Sequence, residues 1–267
     1  MECPLTDADG GSYIGGLPMH GVALLSLAGI LLATIVLLEL VLLPSRRKTV
    51  SSSKTLAQEL LTHVVITGGS SGIGLSIAKE CIERGARVVT LLARNPTKLE
   101  QARQELEAHA TTSGKASTHV RVVAVDVSDQ PGIVKAAEDI CTSDEHPVPT
   151  ALLNIAGTSS SAAFVDTDYT EFQRLVEINY LGSAYATRAF LPYILKDSEG
   201  IHPRAVAFTS SQAGQLGIYG YTAYSASKFA LRGMAEALHM ELSPRNVSVQ
   251  MIFPPDTDTP GFELENR

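Results

Sequence analysis

From His63 to Phe253 the chain alternates short, β-branched apolar runs with longer helical runs, and no other feature narrows its fold as much. The apolar runs are HVVIT (His63–Thr67), RVVTLLA (Arg87–Ala93), HVRVVAV (His119–Val125), TALLN (Thr150–Asn154), RAVAFTS (Arg204–Ser210) and VSVQMIF (Val247–Phe253). Their length and composition fit strands covered by helices on both faces. Between them, helices are expected from the glycine-rich turn to about Arg84, over Pro96 to about His109, and over about Gly132–Cys141. Two more are expected over about Tyr169–Leu195 and from Tyr224 to about Leu242. A parallel strand pair needs a long crossover, which a helix supplies. The pattern therefore predicts an α/β fold, a doubly wound parallel sheet with helices on both faces.

A second feature stands apart. Val22–Leu43 is 22 residues long with one charge, Glu39. About 20 apolar residues suffice to cross a bilayer as a helix. A secretory signal has a shorter apolar core, a basic lead-in and a small-residue cleavage site. Here the lead-in is acidic (Glu2, Asp7, Asp9), so one N-terminal transmembrane helix is expected. Arg46, Arg47, Lys48 and Lys54 follow the span and no Lys or Arg precedes it. The positive-inside rule then places all that follows in the cytoplasm. The organisation expected is a tail (1–21), an anchor (22–43), a basic and polar linker (44–62) and the α/β domain (63–267).

Composition excludes other classes. The net charge of −7 argues against nucleic acid as a partner, which needs a basic surface. Cys3, Cys81 and Cys141 are sparse and far apart, so no disulfide framework is expected. The seven histidines form no pair at ligand spacing, and no metal site is expected.

The first strand runs into Thr67-Gly68-Gly69-Ser70-Ser71-Gly72-Ile73-Gly74 and then a helix. Glycines let backbone approach a pyrophosphate, and the helix N-terminus offers free N–H groups. The spacing is GxxxGxG, and a glycine turn without a ligand is the competing reading. In this strand–turn–helix context it predicts a Rossmann-type dinucleotide site at Gly68, Ser70, Ser71, Gly72, Ile73 and Gly74. The second strand ends Leu92-Ala93-Arg94, without the carboxylate that would bind a ribose 2′-hydroxyl. Arg94 suits a 2′-phosphate, and Lys98 lies on the same face. NADPH is the cofactor expected. Arg94 as an ordinary turn residue is the alternative.

Tyr224 and Lys228, in YSASK, are neighbours at i and i+4 on a helix. An ammonium beside a phenol favours the phenolate, which makes the phenol a competent proton donor to a ketone. Ser210 and Ser211 end the fifth strand, at the sheet edge where ligands bind. Asn179, between Ile178 and Tyr180, needs hydrogen-bond partners if buried. A structural capping role for it is the competing reading.

These motifs, with Asp126-Val127 and the NxAG of Asn154–Gly157, resemble the short-chain dehydrogenase/reductase family over about His63 to the C-terminus. The resemblance implies a catalytic tetrad of Asn179, Ser211, Tyr224 and Lys228, the serine standing thirteen residues before the tyrosine. Ser210 is the fallback. It further implies that Asp126 and Val127 meet the adenine, that Asn154 helps position the adenosine side, and that Tyr224 and Lys228 also contact the cofactor. The stretch from Ser210 to Leu242, with PPDTDTPGF later, is similar to a subgroup anchored in the endoplasmic reticulum. That subgroup faces the cytosol and reduces a long-chain sphingoid 3-ketone with NADPH. The implied partners are a lipid ketone, the bilayer and a further copy of the chain in a homo-oligomer. Other anchored reductases, of steroids, retinoids or 3-ketoacyl groups, and an inactive tethered dinucleotide-binding scaffold are the alternatives. The family's lid helices and seventh strand would follow Arg267, so the domain is expected to be C-terminally truncated.

Overall fold

The computed structural model describes residues 59–196 and 203–259, together with two paired two-residue strands, Tyr13–Ile14 and Leu17–Pro18. The main sheet has six strands: β1 His63–Thr67, β2 Val88–Ala93, β3 His119–Ala124, β4 Ala151–Asn154, β5 Arg204–Thr209 and β6 Val247–Ile252. All neighbours are parallel, in the order β3-β2-β1-β4-β5-β6. The order reverses between β1 and β4. A crevice opens there at the carboxyl ends of the strands, where open α/β sheets take their ligands.

Five helical stretches cover the sheet: α1 Gly72–Glu83, α2 Pro96–Thr112, α3 Gln130–Cys141, α4 Tyr169–Leu175 continuing to α5 Gly182–Lys196, and α6 Thr222–Leu242. Side chains alternate along a strand, so β1 feeds two cores. Val64 and Ile66 pack with Ile77, Leu99 and Leu106 on the α1–α2 side. Val65 packs with Ile133, Ile140, Phe190, Phe208 and Leu231 on the side of α3, α5 and α6. Cutting one of these fully buried leucines to alanine costs about 2–5 kcal/mol.

The helical run expected over Tyr169–Leu195 forms, and within it Val176–Leu181 is a π-helical segment between α4 and α5. The third strand is an edge strand: Val122 packs toward the α1–α2 core and Val123 toward the core of α3, α5 and α6, while His119 and Ala124 are exposed and only Val120 is fully buried. Thr150 falls just outside β4, although its N–H donates to the His63 carbonyl and its carbonyl accepts from the Ala205 N–H; its hydroxyl donates to the Leu60 carbonyl at 2.8 Å. Among the described residues no helix is long and apolar enough to cross a membrane. The expected anchor, Val22–Leu43, lies outside the described residues, as does everything from Pro260 on.

Candidate active site

The crevice is a cleft of about 720 Å³. Its floor is the turn from β1 into α1, and local sterics require the glycines there. Gly68 has φ +68°, and a Cβ on it would sit 2.8 Å from the Ala156 Cα. A Cβ on Gly74 would overlap the Gly68 carbonyl oxygen. Ser71 is the N-cap of α1, yet its side chain does not cap the helix. The first-turn N–H groups thus keep the anion-binding capacity of a helix N-terminus. Gly68, Ser70, Ser71, Gly72, Ile73 and Gly74 all line the cleft.

Arg94 and Lys98 line the far end. Asn95 caps α2 by accepting from the Lys98 N–H at 2.9 Å, with Pro96 as the first helical residue. The cap fixes where α2 starts, and so where Lys98 stands. Asp126 and Val127 also line the cleft. One Asp126 oxygen accepts from the Ser128 N–H (2.9 Å) and hydroxyl (2.7 Å), which orients the carboxylate. Its other oxygen is 3.8 Å from Arg94 Nη1. Arg94 is 69% exposed, so this pair is a loose surface contact.

Asn154 is not with the others. It is buried behind the cleft, donates to Thr187 Oγ1 at 3.1 Å, and does not line the cavity. Its part in the structure is to join β4 to α5. The β4 exit is held instead by Thr67, for which no role was expected. Thr67 Oγ1 accepts from the N–H groups of both Ile155 and Ala156 at 3.1 Å. The signal available was a hydroxyl at a strand end beside a glycine turn.

At the β4 exit, Gly157 lines the cleft and two side chains close in on it. A Cβ on Gly157 would sit 3.1 Å from Asn179 Oδ1 and 3.2 Å from Lys228 Nζ. Asn179, fully buried in the π-helical segment, clips one residue of the β4 exit loop. Its Oδ1 accepts from the Thr158 N–H (2.8 Å) and its Nδ2 donates to the Thr158 carbonyl (2.9 Å). Arg174 adds a bond from Nη1 to Thr158 Oγ1 at 3.2 Å, while paired with Glu171.

Lys228 and Tyr224 share the first turns of α6, with Nζ 5.7 Å from the centroid of the phenol ring. Lys228 is buried and donates to the Thr209 carbonyl at 2.9 Å. Burial pushes its pKa down to about 8, because desolvation penalises the ammonium.

The two serines part company. Ser210 is buried and its hydroxyl donates to the Lys228 carbonyl at 3.3 Å. It bolts the end of β5 to α6. Ser211 is half-buried, and its Oγ accepts from the Ala213 N–H at 3.2 Å, at the start of the segment that leads to Tyr224. That bond uses an oxygen lone pair and leaves the hydroxyl hydrogen for another acceptor. Among the described residues no group of three metal-ligating side chains is present.

The arrangement joins a glycine turn at a helix N-terminus, two cations, and a phenol beside a buried ammonium. This is the outfit of a nicotinamide-dependent oxidoreductase. The short chain dehydrogenase model matches residues 62–267, and the chain belongs to that family of oxidoreductases, which act on keto and hydroxyl groups. Within it, the chain is similar to two proteins in particular. It is 47% identical to the 3-ketodihydrosphingosine reductase of Bos taurus, over 89% of this chain and 69% of that protein. It is 48% identical to the 3-dehydrosphinganine reductase of Danio rerio, over 77% of this chain and 59% of that protein. Among solved structures, L-sorbose reductase from Gluconobacter frateurii, complexed with NADPH and L-sorbose, superposes with a TM-score of 0.66. Its sequence identity is 27%, and the match covers 74% of this chain and 71% of that one.

Proposed function

We propose that this protein reduces the 3-keto group of 3-ketosphinganine to give sphinganine, with NADPH as reductant and Tyr224 as proton donor. The observation that carries the reading is that Asn179 and Lys228, the latter with its Nζ 5.7 Å from the Tyr224 ring, close on Gly157 in the wall of a cleft that Arg94 and Lys98 also line. The relatives' names supply the substrate.

The cleft fits the cofactor. The glycine turn leaves no room for side chains where a pyrophosphate would lie, and two cations stand where a 2′-phosphate would be met. Gly68 to Gly74, Arg94, Lys98, Asp126 and Val127 would hold it. Bound there, NADPH supplies the hydride that reduces the carbonyl carbon.

The chain's own groups do the rest. Ser211 donates a hydrogen bond to the keto oxygen and polarises it. Tyr224 gives its phenolic proton to the same oxygen as negative charge develops there. Lys228 stays charged at neutral pH, since its pKa of about 8 lies above 7, and its ammonium favours the phenolate left behind. Asn179 has both amide hydrogens and an oxygen lone pair committed to Thr158 and Ser227, so its side chain works by fixing the loop beside Gly157. This combines positioning with acid catalysis.

The apolar Val22–Leu43 is read as an anchor in the endoplasmic reticulum membrane, with the catalytic domain in the cytosol. An active site tethered at the interface meets a substrate that stays in the bilayer.

The test is NADPH oxidation by full-length protein with 3-ketosphinganine in vesicles. Turnover by the wild type is expected. Tyr224→Phe should bind NADPH nearly unchanged and lose turnover by about 10³-fold or more. Normal turnover in that variant refutes the assignment.

A further inference from the structure

Ser227 lies inside the YSASK segment and is fully buried. In a helix interior, serine has no propensity advantage over alanine, so a fully buried serine there calls for a reason. Its hydroxyl makes two bonds. It donates to the Tyr224 carbonyl at 2.7 Å and accepts from Asn179 Nδ2 at 2.9 Å. The first bond ties it to the residue that carries the phenol. The second reaches 48 residues back in the chain, to the π-helical segment.

Through Asn179 the connection goes on. The same amide grips both backbone groups of Thr158, which lines the cleft. A continuous chain therefore runs from the cleft wall at Thr158, through Asn179 and Ser227, to the backbone of Tyr224. Two other bolts hold this end of α6, Ser210 to the Lys228 carbonyl and Lys228 Nζ to the Thr209 carbonyl. Both fix the Lys228 end of the turn to β5. Of these contacts, that of Ser227 alone ties the Tyr224 end to the wall on the β4 side.

We propose that Ser227 is a positioning residue. It transmits the position of the Thr158–Asn179 clip to Tyr224, and so sets the phenol against the wall where the ketone must lie. It touches neither substrate nor cofactor in this role. The inference rests on the reductase reading given above.

The experiment is a double-mutant cycle on the full chain, using Ser227→Ala, Asn179→Ala and the double variant. Ser227→Cys serves as a control that keeps the volume and weakens the hydrogen bonds. Ser227→Ala and Ser227→Cys should each lower kcat about tenfold, the kinetic equivalent of one buried hydrogen bond. The KM for NADPH should stay within twofold, because the cofactor turn is untouched. The double variant should lose no more kcat than Asn179→Ala alone, since each change breaks the same chain. A kcat loss equal to the product of the two single losses overturns the proposal, as does a Ser227→Cys variant with wild-type kcat. If the wild type reduces no ketone, the reductase reading fails, and the urea midpoints of the same four proteins still test the connection. Non-additive shifts support it, and additive shifts overturn it.

Discussion

Replacing Lys228 by methionine should make the nucleotide-free protein more stable while abolishing turnover. The ammonium is buried, and its pKa falls from 10.5 to about 8 through desolvation. A difference of about 2.5 units at 1.36 kcal/mol each is a cost of about 3 kcal/mol to the folded state at neutral pH. The folded protein gives up this proton near pH 8, whereas the unfolded chain keeps it to about 10.5. Between those values the unfolded state binds more protons, so the wild type gains stability as pH rises and the cost is fully present below pH 8. Methionine fills nearly the same volume without a charge. It leaves the Thr209 carbonyl without its Nζ donor, which returns about 1 kcal/mol of the gain. The net gain is about 2 kcal/mol at pH 7, or roughly 4–8 °C in Tm for a domain of this size. Urea unfolding without nucleotide, repeated from pH 7 to 9.5, measures it. The variant's advantage should shrink by about 2 kcal/mol across that range. A methionine variant less stable than wild type at pH 7, or an advantage indifferent to pH, would show that Lys228 is not strained by burial.

Arg94→Ala should raise the KM for NADPH by about 10–100-fold, since a charge-assisted bond to phosphate is lost, and leave that for NADH within a few fold. Equal losses for both nucleotides would remove the 2′-phosphate reading. His63 should make the protein acid-labile. It is fully buried, with Nδ1 2.7 Å from the Pro147 carbonyl and Nε2 2.8 Å from Thr90 Oγ1, and burial lowers its pKa to about 4. The unfolded chain takes a proton as pH falls below 6.5 and the folded one does not until about 4, so up to about 3 kcal/mol is lost across that window. Urea titrations at pH 4.5 and 7 should show the loss, and His63→Gln should flatten it; an unchanged slope in the variant counts against the assignment. Gly157→Ala should cut kcat severely and NADPH affinity modestly, because its methyl group would press on Asn179 Oδ1 and Lys228 Nζ. Steady-state kinetics with wild-type kcat would show that the two groups do not meet at this point.

What was legible in the sequence was local. Strand periodicity placed every strand of the main sheet to within a residue at each end, because a strand covered by helices must be apolar on both faces. The glycine turn could be read because close backbone approach tolerates little else. Tyr224 and Lys228 could be paired because helix geometry alone makes i and i+4 neighbours. The competing readings for Ser210 and Ser211 could not be separated in this way. They follow one another at a strand end, and only the packing of α6 on β5 buries the first against the Lys228 carbonyl. Asn154 and Thr67 lie near each other at adjacent strand ends, yet which of them serves the β4 exit depends on the register of β1 with β4. The desolvation that lowers the Lys228 pKa has no sequence signature either, since it comes from surfaces supplied by β5, the β4 exit loop and α6 together. The chain by itself thus settled what is fixed by neighbours along the backbone: strands, helices, the turn and the paired side chains. Strand order, burial, and the link from Thr158 to Tyr224 were decided by tertiary structure, because each depends on segments distant in sequence that meet only when the sheet has formed.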